Sequence, residues 1–482
     1  MRRALLLAVV LGACAGTEIR FDPSPSCSYR TVPSSRDVGA GTGQERRATD
    51  IAAGERHTCA RLDHGDDVLC WGANDLHQIS YTFDRPPLEG LVFDEWRDAF
   101  DLGAGGAHAC VRSNDGIECW GNNAAGQLGV GHSDASPGAR PAEGTEGAVT
   151  LAVGLLHACA VLEDGSRAVC WGDNRFGQLG VEDAADCCPL ATDVEGLPAG
   201  LILQVAAGAG HTCAIVEIAE LRELWCWGDD RFGQLGDGEA GGSRATPARV
   251  TLADEDPLGI VAGAHHTCLG HAPLDGSAPL RVSCWGRGDR GELGDGRGES
   301  RAMPGDPVLL PDLRPIRGDA SAELGLSPDE TTGELVLADH AGHTCALLED
   351  GSVWCWGAND RGQLGDGTTE DALVPVRAQL DTRAVDLSTG GATTCAADEE
   401  GVAWCWGAND HGQLGDGTRD DALAPVRALL DARAIDVTTG GASTCIADDE
   451  GYVWCWGAND HGQLGVEGEE DALVPTRATV VR

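Results

Sequence analysis

Trp404-Cys405-Trp406-Gly407-Ala408-Asn409-Asp410-His411-Gly412-Gln413-Leu414-Gly415-Asp416-Gly417 is the stretch that decides the fold. Its first four residues alternate like a half-buried strand, and the rest is a loop dense in Gly, Asn and Asp. Its core, Cys-Trp-Gly, occurs eight times, beginning at Cys70, Cys119, Cys170, Cys226, Cys284, Cys355, Cys405 and Cys455. Each copy has a second cysteine upstream: Cys59, Cys110, Cys159, Cys213, Cys268, Cys345, Cys395 and Cys445. The last three copies recur every 50 residues, so the chain reads as one unit stacked many times.

Working outward, Ala384-Val385-Asp386-Leu387 alternates apolar and polar, and Thr389-Gly390-Gly391 bends the chain. Thr394 to Ala397 reads as a second strand, Glu399-Glu400-Gly401 as a turn, and Val402 to Gly407 as a third strand. Ala424 to Ala428 is a fourth, with Pro425 where an edge strand tolerates it. Four short strands in roughly 50 residues make a propeller blade, and the fold class is all-β, a β-propeller. Glycine, 69 of 482 residues, is about twice its usual frequency, and the excess lies in the recurrent turns.

Gly342-His343-Thr344-Cys345-Ala346, then Asp350-Gly351, Trp354 to Asn359 and Gly362 to Gly367, resembles the signature of regulator of chromosome condensation (RCC1)-type repeats. The match recurs over residues 48–482. That family usually forms seven blades, so eight signatures are a departure. Eight blades are the preferred reading and seven the alternative, with the first repeat, which lost both glycines in Asn74 to Ser80, as the incomplete unit. Pairing of the tail, Pro475 to Val480, with Ala48 to Ala52 is the expected closure.

Cys345 and Cys355 sit symmetrically about Asp350, across a hairpin whose opposed Cα atoms lie about 4.5 to 5.5 Å apart, which suits a disulfide. The hairpin tip varies in length between copies while both cysteines remain, so one disulfide per blade is expected. A histidine precedes the first cysteine by two at His57, His108, His157, His211, His266 and His343, which raises a rival reading as a metal site. Thr393 and Ser443 replace it in the last two copies, where both cysteines stay. Backbone groups near the Gly bend are the expected partners of these histidines. Cys14, Cys27, Cys187 and Cys188 are left over.

Met1-Arg2-Arg3, an apolar run from Ala4 to Leu11, and Gly12-Ala13-Cys14 form a secretory signal too short to span a membrane. Leu11-Gly12-Ala13-Cys14 resembles a bacterial lipoprotein box. It implies a signal peptide over 1–13, lipidation at Cys14 and an exported, outer-membrane lipoprotein of the cell envelope. Residues 14–47, rich in Ser, Pro, Gly and Arg, read as a flexible tether, and 48–482 as the propeller. The membrane is then met only through the lipid anchor.

The net charge is −43 and every basic residue is arginine, which argues against nucleic acid. Arg377, Arg427 and Arg477 recur beside the fourth strand and read as structural partners of acidic residues. The acidic loops at Asp366 to Asp371, Asp416 to Asp421 and Glu467 to Asp471 match no complete calcium pattern. No cofactor or metal is expected, with calcium the alternative to a solvated acidic surface. The Trp pairs Trp354/Trp356, Trp404/Trp406 and Trp454/Trp456 read as packing between blades. Trp96, with Arg97 beside it, stands outside the pattern and is the candidate binding anchor.

No phosphate-binding loop, Gly-x-Ser-x-Gly elbow or His-Glu-x-x-His motif is present, so no catalytic residue is assigned. Propeller rims vary while blades stay fixed. The departures at Tyr81 to Asp98, Glu182 to Pro198 and Pro311 to Leu335 are therefore the expected places for a partner. The reading is a surface-anchored protein-binding or adaptor propeller. A glycan-binding propeller or a rim enzyme is the alternative. The resemblance adds guanine nucleotide exchange, as in the family's eukaryotic namesake, and protein inhibition, as in a secreted bacterial inhibitor of β-lactamase. Fold analogy does not choose among them.

Overall fold

Strands Thr393–Asp398 and Ala403–Gly407 pair antiparallel and set Cys395 opposite Cys405, with Cα atoms 4.1 Å apart and the sulfurs bonded. All eight hairpins repeat this: 59–70, 110–119, 159–170, 213–226, 268–284, 345–355, 395–405 and 445–455. The structure, a computed structural model, describes residues 48–62, 68–73, 91–92, 101–162, 165–182, 187–274, 281–308, 310, 336–340, 342–348, 350–466 and 470–478. Cys14, Cys27, Trp96, Arg97, the tether, and the segments Tyr81 to Asp98 (apart from Leu91–Val92) and Pro311 to Leu335 lie outside them.

Each hairpin is the middle of a small antiparallel sheet, and there are eight sheets. The innermost strands, in chain order, are Ala48–Ala53, Asp101–Ala104, Ala148–Val153, Leu201–Ala207, Glu255–Ala262, Val336–His340, Ala384–Gly390 and Ala434–Thr439. We number the blades 1 to 8 in that order. Each innermost strand packs on the next, and the eighth packs on the first, so the ring has eight blades. Seven sheets have four strands. In blade 5 the fourth position is held by the isolated bridge Gly286–Arg301 and by Val308 N–H donating to Val282 O at 2.7 Å.

Closure differs from the expectation. Tail strand Ala472–Arg477 pairs with Val453–Gly457 of its own blade, and Ala48–Ala53 pairs with His57–Leu62. A repeat has no intrinsic starting point, and here the chain enters each blade at its inner strand. No strand is therefore shared. The last joint is made like the others, with Cys445 and Cys455 packed in one cluster with Trp71.

That joint explains the Gln-Leu-Gly string. The Trp of each Cys-Trp-Gly reaches the preceding blade: Trp456 Nε1 donates to Gln413 O at 2.8 Å, Trp227 to Gln178 O at 2.8 Å and Trp285 to Gln234 O at 3.0 Å. Its indole lies on the glycine of that string. Gly365 has φ +70°, and a Cβ there would sit 2.8 Å from Trp406 Nε1, so only glycine fits. Leu364 is buried in the same cluster as Cys355 and Trp406. The expected packing of Trp between blades is what these fully buried indoles do. Truncating one costs about 3–5 kcal/mol.

The histidines were expected to bond backbone near the glycine bend. They instead cross the joint. His157, His211 and His266 Nε2 lie 2.9 Å from the hydroxyls of Thr212, Thr267 and Thr344, and His343 lies 3.0 Å from Thr394. Thr212 and Thr267 hydroxyls in turn donate to Gln178 O and Gln234 O. Burial holds three of these imidazoles neutral, pushing His157 and His266 down to about 4 and His211 to about 3. Blades 2 and 3 carry Ala109 and Ala158 where the threonine would stand, and both ring nitrogens of His57 and of His108 lack a hydrogen bond.

Two smaller readings are corrected. Arg477 lies over the Tyr452 ring, 3.3 Å from its centroid, whereas Arg377 keeps an acidic neighbour: hydrogen bonding from Ser352, first, and the charge of Arg377 hold the Asp350 carboxyl below its usual range. Glu182 to Pro198 is no rim insertion: it supplies strand Cys187–Asp193, the outer strand of blade 3, spaced from Gly180 as Ala422 is from Gly415. Cys187 and Cys188 are free thiols on consecutive strand positions, hence on opposite faces.

Candidate binding rim

The loop after each Cys-Trp-Gly lies on one rim, and among the described residues its frame recurs in blades 2, 3, 4, 6, 7 and 8, while blade 5 has Gly288 at the Asn position. The Asn409 side chain accepts Leu414 N–H at 3.0 Å, and Gln413 Oε1 accepts His411 N–H at 2.9 Å. Asn174 with Gln178, and Asn359 with Gln363, do likewise. With the frame fixed, equivalent positions can be compared from blade to blade.

On blades 6 to 8 the loop reads Ala-Asn-Asp-Arg or Ala-Asn-Asp-His: Ala358 to Arg361, Ala408 to His411, Ala458 to His461. Here the aspartates point outward, with Asp360, Asp410 and Asp460 side chains 62%, 64% and 67% exposed. The basic residue bridges to the next blade. Arg361 pairs with Asp410 and Asp421, Arg290 of blade 5 pairs with Asp360 and Asp371, and His411 meets Asp471 at 3.2 Å. The acidic loops therefore receive Asn and Arg donors. Among the described residues no group of three or more ligating side chains is placed to hold a metal ion.

Blades 3 and 4 invert this pattern, with Asp173-Asn174-Arg175-Phe176 and Asp229-Asp230-Arg231-Phe232. The carboxylate moves to the buried position and the cation to the exposed one. Asp229 is 2% exposed beneath Arg231 at 51%, and Asp173 is 4% exposed beneath Arg175 at 57%. Both pairs are bidentate: Arg231 Nε and one terminal nitrogen reach the two oxygens of Asp229 at 2.9 and 2.8 Å. The phenylalanines are half-buried. Arg231 lies over Phe176, 4.8 Å from the ring centroid, and Arg287 over Phe232 at 5.9 Å.

Blade 5 ends the arc. Arg287 pairs with exposed Asp289, its Nε at 2.6 Å from Oδ1, and His265 lies 5.3 Å from Phe232 between ring centroids. Burial, first, and the charges of Arg231 and Arg287 lower the His265 pKa against the opposing pull of Asp229. Glu292 stands where the other blades have Gln. It is buried, its Oε1 lies 3.5 Å from Arg287 Nε, and burial raises its carboxyl.

A second concave feature is the mouth of the axis, a cavity of about 320 Å³ ringed by the glycine bends. A Cβ on Gly105 would lie 2.5 Å from Gly154 O of the next blade, so the bends close on one another through backbone. Glu55, Leu155, Thr389 and Thr439 supply the larger side chains there.

Phe176, Arg231, Phe232, His265, Arg287 and Glu292 were not singled out from the sequence. The signal was present: stacking the eight Cys-Trp-Gly loops column by column shows where blades 3 to 5 leave the consensus. Trp96 and Arg97 cannot be placed relative to this rim, lying outside the described residues.

Comparison with known sequences and structures agrees with the repeat. The regulator of chromosome condensation (RCC1) repeat matches residues 169–215, 223–269, 350–397, 400–447 and 450–482. A second description of that repeat matches 48–78, 148–178, 202–234, 384–413 and 434–463. The ultraviolet-B receptor UVR8 of Arabidopsis thaliana is 30% identical over 360 residues, which is 72% of this chain and 74% of the receptor. The E3 ubiquitin-protein ligase HERC2 of Homo sapiens is 30% identical over 281 residues, 57% of this chain but 5% of the ligase. Among solved structures, yeast RCC1 (Prp20) bound to Kap60 is 20% identical with a TM-score of 0.56, covering 76% of this chain and 83% of that one. Human WBSCR16 is 20% identical with a TM-score of 0.55, covering 76% and 94%. These two likenesses concern the fold.

Proposed function

Because the chain belongs to the RCC1-repeat family of β-propellers, we propose that it is a protein-binding propeller held at the cell surface, acting by binding and not by catalysis. The observation that carries this reading is the broken symmetry of one rim. The four-stranded scaffold repeats from blade to blade, yet on one arc Arg175 and Arg231 stand where blades 6 to 8 have an exposed aspartate, and Phe176 and Phe232 where those blades have Arg or His. Half-buried phenylalanines flanked by guanidiniums are the residue types that dominate protein interfaces.

Anchoring is the second element of the proposal. It rests on Met1 to Cys14, which reads as a lipoprotein-type signal with acylation at Cys14 and residence in the outer membrane. Eight disulfides fit an oxidising compartment outside the cytosol. More than one acyl chain holds a protein stably on a membrane, so the propeller would act at the end of a tether.

The test is capture from the native envelope with the full chain carrying a C-terminal tag, followed by cross-linking and mass spectrometry. Lysine is absent, so a carbodiimide that joins this chain's carboxylates to a partner's amines suits it. A protein retained at moderate salt, cross-linked beside blades 3 to 5, is the expected result. Failure to retain any protein would overturn the reading. Mass spectrometry of the mature N-terminus tests Cys14: an unmodified Cys14 thiol would refute the anchor.

A further inference from the structure

Building on the protein-binding reading, we infer that the arc of Arg175, Phe176, Arg231 and Phe232 receives an extended acidic segment of its partner. The charge pattern carries the inference. A chain of net charge −43 would be expected to show acid everywhere, and on blades 6 to 8 it does. On blades 3 and 4 the carboxylates Asp173 and Asp229 are nearly covered, while the guanidiniums above them are half-exposed. Covering an anion with a cation leaves the outward face positive. It also fixes the guanidinium, because Nε and one terminal nitrogen are both held by the buried carboxylate. On Arg231, half-exposed, the partner then meets a guanidinium that has already lost its rotamer freedom.

The phenylalanines define the rest of the partner. Phe176 and Phe232 sit one blade apart at equivalent positions, and the guanidinium of Arg231 covers part of Phe176. Cation and apolar surface therefore alternate along the rim. An extended segment that alternates Glu or Asp with a large apolar residue presents the matching sequence of groups. Long polyanions fit less well. On Arg231 the edge made by Nε and one terminal nitrogen is taken by Asp229, which leaves the end-on edge of the two terminal nitrogens for a single carboxylate at each step. Beyond the Debye length of about 8 Å the rest of the chain does not attract an anion, so only a short, locally docked segment gains.

The inference is tested with the full chain in detergent and a fluorescein-labelled peptide of alternating Glu-Glu-Phe and Glu-Glu-Leu triplets, read by anisotropy. The Asp229→Asn/Arg231→Gln double variant removes cation and buried anion together, so no uncompensated carboxylate is left to unfold the blade. We expect saturable binding that weakens about tenfold or more in the double variant and with rising salt. Phe176→Ala should weaken it as well, whereas Arg361→Gln on the acidic arc should leave it within about twofold.

No saturable binding up to about 1 mM peptide would overturn the inference. So would equal binding of a peptide with Gln in place of Glu, an unchanged affinity in the double variant, or a single-stranded oligonucleotide binding as tightly as the peptide. A native partner cross-linked at blades 3 and 4 that ignores the acidic peptide would sink this inference alone. Peptide binding with no native protein partner would sink the broader reading instead.

Discussion

The guanidinium of Arg231 in blade 4 lies over the ring of Phe176 in blade 3, 4.8 Å from its centroid, and so spans the seam between two blades. Below it, Asp229 holds the same guanidinium through two hydrogen bonds. One side chain thus ties two neighbouring blades together while presenting its charge to solvent. The equivalent position on blades 6 to 8 is an exposed aspartate. This exchange of sign at a fixed backbone position gives the rim a direction.

Removing the phenylalanines should separate binding from folding. Phe176→Ala and Phe232→Ala take away half-buried rings at the rim and touch no disulfide or Trp joint. Each is expected to lower partner affinity by about 2 kcal/mol, roughly thirtyfold, as interface anchors do. Stability should fall by about 1 kcal/mol or less. Biolayer interferometry against the captured partner, paired with thermal unfolding, reads both quantities.

Seams between blades should respond to a single hydroxyl. Thr267→Val removes the partner of His211 and the donor to Gln234 O, and is expected to cost about 1–3 kcal/mol. Ala158→Thr should do the reverse. It would place a hydroxyl between His108, which now has no hydrogen bond, and Gln127 O, as Thr212 stands between His157 and Gln178 O. A gain of about 0.5–1.5 kcal/mol is expected in chemical denaturation. A loss would show that the gap is too small for the hydroxyl.

Asp230 should make stability depend on pH. It occupies the loop position that is Asn in most other blades, and burial pushes its carboxyl from 3.8 up to about 6. A carboxyl raised on folding contributes stability that is complete below its unfolded value and is lost as pH rises through the folded one. The axial carboxyls of Asp386 and Asp436 are raised in the same direction, each chiefly by burial. Asp230→Asn does not titrate, and its amide can donate to the loop as Asn409 donates to Asp420 O. The variant should match wild type near pH 4 and exceed it by about 1–2 kcal/mol at pH 7. Denaturation midpoints of the two proteins across that range decide it. A constant difference would contradict the assignment.

The disulfides should act blade by blade. Cys395→Ala/Cys405→Ala opens a loop of sequence separation 10 and is expected to cost about 2–3 kcal/mol. Limited proteolysis should then cut in blade 7 first, because each blade contacts only its neighbours. Cleavage spread evenly over the ring would argue against local coupling.

Much of the scaffold was legible because its physics is periodic. The Cys-Trp-Gly period gave the blades, the symmetric hairpin gave the cysteine pairs, and the doubled Trp gave the joints. The closure was misread because a repeat pattern looks the same wherever it is cut, and only the pairing of Ala48–Ala53 with His57–Leu62 sets the phase. The histidines were misassigned because their partners, such as Thr267 for His211, lie one blade away and 56 residues downstream. The binding arc was missed for a different reason. Phe232 and Arg231 are unremarkable in their own stretch, and their meaning comes only from comparison with Asp410 and His411 in the same frame. Longer departures from the consensus drew attention first, and one of them, Glu182 to Pro198, proved to carry an ordinary outer strand.

The most direct test of the account is hydroxyl-radical footprinting of the full chain with and without its captured partner. Phenylalanine side chains react readily when exposed, and Phe176 and Phe232 are half-buried markers on the proposed arc. Protection of both, with Tyr452 and the blade 6 to 8 rim unchanged, is the predicted result. Protection confined to blades 6 to 8 or to the axial mouth, with Phe176 and Phe232 as reactive as in the free protein, would contradict it.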